Sequence, residues 1–161
     1  MADSRATKHT PFVISTSIAL LLTIMPMPNW LESFRPDWIV LTCVYWSMTF
    51  PRSYSIGSAW IVGLTLDVAH GTLLGQHALA ISAVTYFTVR FHLLLRQFPI
   101  PQLMATVFGM LVMYQFILFW TNGVAGIDSP MIVYWGPVVT GAIIWPIVSG
   151  LLGSLRRKMR C

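Results

Sequence analysis

The stretch from Ala59 to His77, AWIVGLTLDVAHGTLLGQH, decides how the rest of the sequence is interpreted. Within this largely apolar segment, small or acidic residues recur at every fourth position: Ala59, Gly63, Asp67, Gly71 and Gly75. On a helix these positions fall along one narrow stripe. In lipid, small residues let another helix backbone approach closely, whereas a carboxylate must face protein or water. The pattern predicts a close-packed polar seam in a membrane protein.

The composition of the whole chain also indicates a membrane protein. Hydrophobic residues make up 56% of the 161 residues and charged residues only 9%, with a mean hydropathy of +0.71. In soluble domains, about a quarter of the residues are charged. We therefore expect a single integral membrane domain over residues 1–161, with a short polar N-terminal segment at 1–10 and a basic tail at 154–161.

Six apolar runs predict an all-α fold, a polytopic membrane protein with six transmembrane helices in a compact bundle. The runs are Pro11–Met27, Trp38–Phe50, a third from Tyr54 toward Gly71, Ala78–Leu95, Leu103–Thr121 and Met131–Leu152. The second run is shorter than the about 20 residues that a span normally needs. It can still cross if the bilayer thins locally or if protein screens its ends.

The basic residues predict the orientation of this bundle. With six spans, nine of them fall on one face: Arg5, Lys8, Arg52, Arg90, Arg96, Arg156, Arg157, Lys158 and Arg160. Arg35 is alone on the other face. Because basic residues in short loops favour the cytoplasm, both termini are expected to be cytoplasmic. The net charge of +5 thus fits membrane orientation better than binding to nucleic acid.

The chemistry of the stripe leaves two interpretations open. Asp67 and His70 are three residues apart, which permits a hydrogen bond on one helical face. The pair could form a proton relay or ligand site, because ionisable groups inside a membrane are functional candidates. The alternative, which we favour, is polar contact that joins helices or caps the following turn. His77 could likewise bond to backbone groups of the loop.

Other features of the sequence argue against an enzyme. It contains no HExxH metal motif, no GxSxG nucleophile turn and no phosphate-binding loop of the Walker type. Its two cysteines, Cys43 and Cys161, provide neither a disulfide framework nor the spacing of metal ligands. We therefore predict no catalytic residues, no metal site and no cofactor.

The basic tail is the strongest electrostatic feature of the chain. Its cations are Arg156, Arg157, Lys158 and Arg160. They are predicted to anchor the last helix at the membrane surface, and they also suit anionic lipid or an acidic partner.

Two passages resemble the bacterial MreD family of rod shape-determining proteins: LLLTIMPMPNWLESFRPDW and GLTLDVAHGTLLGQHAL. The second is the more specific, because Gly63, Asp67, Gly71, Gly75 and His77 match the family's pattern before an apolar helix. The stretch Phe34–Trp38 resembles the proteobacterial branch. The resemblance covers nearly the whole chain.

The resemblance implies a fold, a location and partners. The fold would be similar to that of the substrate-binding subunits of energy-coupling-factor transporters, and the location would be the bacterial inner membrane. The partners would be MreC and, through it, MreB, RodA and the elongation transpeptidase. The implied function is a non-enzymatic scaffold of the cell-elongation machinery that helps to direct lateral peptidoglycan synthesis.

On that model the residues Ala59, Gly63, Asp67, Gly71, Gly75 and His77 would form a helix-packing or partner seam, with Asp67 fixing its register. A homodimer is also compatible with such a seam. The alternative function is a small-molecule-binding subunit of a membrane transporter, with a pocket near Asp67, Gly71 and His77.

Overall fold

The computed structural model describes residues 3–128 and 130–160, and in these residues the chain is helical without strands. The helices are α1 (Asp3–Ile24), α2 (Asn29–Glu32), α3 (Trp38–Thr49), α4 (Ile56–His70), α5 (Gln76–Arg90), α6 (His92–Gln97), α7 (Ile100–Val124) and α8 (Met131–Arg160). Six have 12 residues or more, one in each predicted apolar run, while α2 and α6 are short connections.

Two described helical stretches are long and apolar enough to cross a bilayer, Ile100–Val124 and Tyr134–Met159. Three shorter stretches are also apolar: His9–Ile24, Trp38–Thr49 and Ile56–His70. The all-α class is therefore confirmed for the described residues, together with a strongly apolar character. Six crossings, and the likeness to transporter subunits, stay predictions.

The helix α3 forms the centre of the bundle. It is apolar on all sides, and the nine consecutive residues Ile39–Ser47 are buried, as expected for a helix surrounded by other helices. α1, α5 and α8 pack around it. The indole N–H of Trp46 donates a hydrogen bond to Ser15 Oγ on α1 at 2.9 Å, so this fully buried ring leaves no unpaired donor.

The connections gather at two ends of the bundle. At one end, called the Asp67 end, the turn between α4 and α5 meets the turn between α7 and α8. At the other, called the Phe50 end, the guanidinium of Arg96 donates hydrogen bonds to the carbonyls of Met48 and Thr49, at the C-terminus of α3. Arg156 lies 6.0 Å from the centre of the Phe50 ring.

The loop of residues 25–37 folds back against the bundle at the Asp67 end. Arg35 donates a hydrogen bond to the carbonyl of Leu22 near the end of α1. The backbone of Ser33 lies directly against Gly136 of α8, where an added β-carbon would be 3.0 Å from the Ser33 carbonyl carbon. The loop thus has protein on one side, as irregular backbone near a membrane requires.

Both ends of the chain continue regular helices. The described part of the predicted N-terminal segment, residues 3–10, forms the first turns of α1. Residues 154–160 of the predicted basic tail are the last turns of α8. Residues 1, 2 and 161 lie outside the described residues, as do the side chains of residues 3–8 and of Arg160.

Candidate functional site

The site is built on the close contact between α4 and α5. Gly63 faces the backbone of Ala78, and an added β-carbon on Gly63 would lie 2.7 Å from the Ala78 backbone nitrogen. Ala59, one turn earlier on α4, is buried as well. Only glycine at position 63 lets the two backbones approach this closely, which places the side chain of Asp67 beside the first turn of α5.

The Asp67 carboxylate caps α5 from the neighbouring helix. It is completely buried, and it accepts hydrogen bonds from the backbone N–H groups of Gly75 and His77, both at 2.9 Å, and of Ala78 at 3.4 Å. The first N–H groups of a helix lack partners within the helix and carry partial positive charge. Since Gly75 has no side chain for this task, Asp67 provides the acceptor in its place.

The same carboxylate holds the imidazole of His77. Oδ1 of Asp67 lies 2.7 Å from Nδ1 of His77 and accepts a hydrogen bond from Thr72 Oγ1 at 3.0 Å. The partner of Asp67 is therefore His77 rather than His70, because the turn folds the start of α5 back onto α4. The ring of His70 is centred 5.5 Å from that of His77.

Gly71 and Gly75 serve the turn rather than the packing of helices. Both have positive φ, +64° at Gly71 and +98° at Gly75, which L side chains rarely adopt. The N–H of Gly71 bonds to the carbonyl of Val68 and that of Thr72 to the carbonyl of Asp67, which closes the end of α4. An added β-carbon on either glycine would touch nothing within 4 Å. Because α4 ends at His70, the four-residue stripe continues only as a turn.

A cavity of about 470 Å³ opens beside this turn, between the start of α5, α7 and the start of α8. We call it the amide cavity, since its polar lining consists of Thr72, Gln76, His77, Gln115, Asn122 and Tyr134. Gln76 Nε2 donates to Asn122 Oδ1 at 2.7 Å, and Asn122 Nδ2 donates to the Tyr134 hydroxyl at 2.9 Å. These bonds tie three helices together around the cavity.

A second polar contact, partly buried, lies next to the amide cavity. Gln115 Nε2 donates a hydrogen bond to Asp37 Oδ2 at 2.7 Å. Asp37 belongs to the loop of residues 25–37, and burial raises the pKa of its carboxyl from 3.8 to about 7, against the opposing effects of Gln115 and Arg35. The Asp67 end thus contains two carboxylates in different surroundings.

The predicted surface anchor lies at the opposite, Phe50 end. Arg157 and Lys158 are exposed, whereas Arg156 is partly buried against Phe50. The side chain of Arg160 lies outside the described residues. Arg156 therefore also packs against the bundle, in addition to any role at the membrane surface.

Metal binding has no support among the described side chains, since no three His, Cys, Asp or Glu residues come together there. The Asp67–His77 pair offers a hydrogen-bonding group of fixed orientation instead. What it can do chemically is accept or donate a hydrogen bond at the edge of the amide cavity.

Several residues of the cavity escaped the sequence analysis. Gln76, Gln115 and Asn122 are uncharged, and they lie in or beside runs that were judged by hydrophobicity alone. The available signal was the energetic cost of a primary amide inside an apolar helix, which requires a hydrogen-bonding partner. Tyr134 and Thr72 carry no signal that distinguishes them from interface or turn residues.

Comparison with known proteins gives a consistent result. A family model described as rod shape-determining protein MreD matches residues 6–155. Over 146 residues the chain is 30% identical to rod shape-determining protein MreD of Haemophilus influenzae (strain ATCC 51907 / DSM 11121 / KW20 / Rd). The aligned stretch covers 89% of this chain and 88% of that protein. No solved structure matches the chain.

Proposed function

The chain belongs to the MreD family of rod shape-determining proteins, and on this premise we propose that it is a non-enzymatic membrane scaffold that binds MreC. Its role in rod shape determination follows from the family. We propose in addition that it binds MreC. Through MreC it would help to direct lateral peptidoglycan synthesis by MreB, RodA and the elongation transpeptidase. The observation that carries the proposal is an open apolar groove on the helical surface.

Gly63 and Asp67 of the small-residue stripe already make contacts within the chain. Gly63 is covered by Ala78, and the hydrogen bonds of the Asp67 carboxylate go to groups of the same chain. The seam therefore stabilises the α4–α5 hairpin. We therefore propose a site for the partner helix elsewhere on the surface.

The groove lies between the end of α5, α6 and α7, and measures about 370 Å³. We call it the Gly109 groove. Its lining is almost entirely apolar: Phe87, Phe91, Leu94, Leu95, Phe98, Thr106, Gly109, Met110 and Met113. The chain leaves α5 at Phe91 and enters the short α6, so this break in the helix shapes one wall.

Gly109 makes this groove suitable for a helix. It is exposed, and an added β-carbon would touch nothing within 4 Å. In lipid, helices associate by close packing over small residues. Met110 and Met113 beside it are flexible and adapt to the shape of a partner. We assign the transmembrane helix of MreC to this groove.

Recovery of MreC with variants of the full chain from native membranes tests the proposal. Gly109→Leu fills the groove and should lower recovery about tenfold, which corresponds to about 1.4 kcal/mol. Gly150→Leu is the matched control, since Gly150 is an exposed glycine on α8 with equally open surroundings. Equal recovery of MreC with both variants, at equal protein levels, would contradict the assignment.

We also propose that the chain resides in the bacterial inner membrane with both termini in the cytoplasm. The bundle supports this, since Arg96 and Arg156 share the Phe50 end. A thiol reagent that cannot enter cells should label a cysteine introduced at exposed Asp128 and leave one at exposed Arg157 unlabelled. The reverse pattern would overturn the orientation.

The amide cavity favours a second candidate function, a ligand-binding subunit of a membrane transporter. Its volume is within the range of about 300–1,000 Å³ typical of ligand sites, and several polar side chains converge on it. Genes for an ATPase pair beside the gene of this chain would favour transport. Neighbouring genes for cell shape would favour the scaffold.

A further inference from the structure

The amide cavity retains hydrogen-bonding atoms that its own walls do not use. His77 uses Nδ1 toward Asp67, and Gln115 uses Nε2 toward Asp37. Among the residues that the structure describes, no partner is found for His77 Nε2 or for Gln115 Oε1. Both side chains line the cavity. The exposed fraction of the residue is 9% for His77 and 5% for Gln115.

Both unused atoms can accept a hydrogen bond. Gln115 Oε1 is a carbonyl oxygen with two lone pairs. When Nδ1 of a neutral imidazole donates its proton to Asp67, Nε2 of His77 carries a lone pair. A molecule that bonds to both atoms in this tautomer must present N–H or O–H groups to them.

In this neutral tautomer of His77, the described lining carries no formal charge. Its described residues include no Asp, Glu, Lys or Arg. The nearby Asp67 carboxylate lies beneath the lining and is saturated by Gly75, His77 and Thr72. A charged molecule would lose its hydration without gaining a counter-ion, which is costly in a cavity of low polarity.

Apolar side chains complete the cavity. Leu73 and Ile127 are at the exposed rim, and Leu118 lies inside. An apolar surface combined with a few convergent polar groups is the usual lining of a small-molecule site.

We propose that the amide cavity binds an uncharged small molecule with several hydroxyl or amide groups, whose donors bond to His77 Nε2 and Gln115 Oε1. The proposal is independent of MreC binding at the Gly109 groove. It supplies the ligand class for the cavity on which the second candidate function rests.

Three sugars of similar size and different charge test it on the purified full chain in lipid nanodiscs. The probes are N-acetylglucosamine, which is neutral, glucosamine, which is cationic, and glucuronate, which is anionic. Saturation-transfer NMR should show the neutral sugar binding at least about tenfold more tightly than either charged one. Equal affinities for the three, or no binding of the neutral sugar, would overturn the proposal.

Two variants localise the binding. Ile127→Trp places a larger side chain at the rim, which should block the cavity and abolish binding of the neutral sugar. Ile143 on α8 is similarly exposed and lies away from the cavity, so Ile143→Trp should leave binding unchanged. Unchanged binding in Ile127→Trp, or equal loss in both, would place the sugar elsewhere and overturn the proposal.

Asn122→Asp provides a variant that should keep the walls intact. An aspartate there can accept hydrogen bonds from Gln76 and from the Tyr134 hydroxyl, in place of the bonds that Asn122 makes. The added negative charge should reverse the preference, so that glucosamine binds more tightly than N-acetylglucosamine. An unreversed preference in this folded variant would contradict the site.

Discussion

Gly63 on α4 and Ala78 on α5 bring two helix backbones into direct contact, so that a β-carbon on Gly63 would lie 2.7 Å from the Ala78 nitrogen. This contact places Asp67 beside the first N–H groups of α5. The α4–α5 hairpin therefore depends on backbone proximity first and on the carboxylate second. The backbone contact at Gly63 and the cap formed by Asp67 can be tested separately.

Gly63→Ala should destabilise the protein by about 1–3 kcal/mol, because the new methyl group meets backbone atoms that cannot move as a side chain can. Gly57→Ala on the same helix is the control, since a β-carbon there touches nothing within 4 Å. It should be neutral or slightly stabilising. The free energy of unfolding in detergent micelles measures both, and equal losses would refute the close contact.

Asp67→Asn should lower the free energy of unfolding by about 1–3 kcal/mol, because the amide cannot accept all the bonds that the carboxylate accepts from Gly75, His77 and Thr72. Hydrogen exchange at the His77 and Ala78 amides should accelerate most. Asp128→Asn, at an exposed aspartate, serves as the control. Unchanged exchange at the start of α5 would be incompatible with the cap.

Gly71→Ala should cost about 1–2 kcal/mol of stability, because position 71 has a φ of +64° that alanine resists. Gly123→Ala is matched to it, since both glycines are exposed with open space around them and only Gly71 has positive φ. Thermal unfolding of the two variants separates backbone strain from crowding. Comparable melting temperatures would argue against the left-handed turn.

Asp37 should make the protein less stable as the pH rises. Its folded pKa of about 7 lies above the ordinary 3.8, so the folded state binds the proton more tightly than the unfolded state does. The contribution is fully present below about pH 4 and is lost as the pH rises through 7. Denaturant titrations at pH 5 and pH 8 should show the greater stability at pH 5.

Asp37→Asn isolates that effect, because it removes the titrating group and retains an oxygen that can accept the bond from Gln115. The difference in stability between pH 5 and pH 8 should shrink in this variant. A difference as large as in the unaltered chain would assign the pH dependence to other groups.

The sequence was sufficient for the all-helical class, since long apolar runs separated by proline and glycine clusters admit few other arrangements in lipid. It also singled out Asp67 and His77, which the structure brings together at 2.7 Å. What it could not supply was the tertiary position of the turn. A four-residue spacing describes a stripe only while the helix continues, and α4 ends at His70.

The amide cavity was missed for a related reason. Gln76, Gln115 and Asn122 come from different helices, and their proximity depends on how those helices cross. Asp37 likewise finds its partner in Gln115, 78 positions away in sequence. Contacts of this kind arise from packing, which local periodicity does not contain.

The contact of Ser33 with Gly136 also constrains the order of biogenesis. The loop of residues 25–37 emerges from the ribosome before α8, yet Ser33 in this loop rests against Gly136 of α8. This contact can therefore form only after α8 has been synthesised. A protein truncated before α8 would lack Gly136 and would leave the Ser33 side of this loop uncovered.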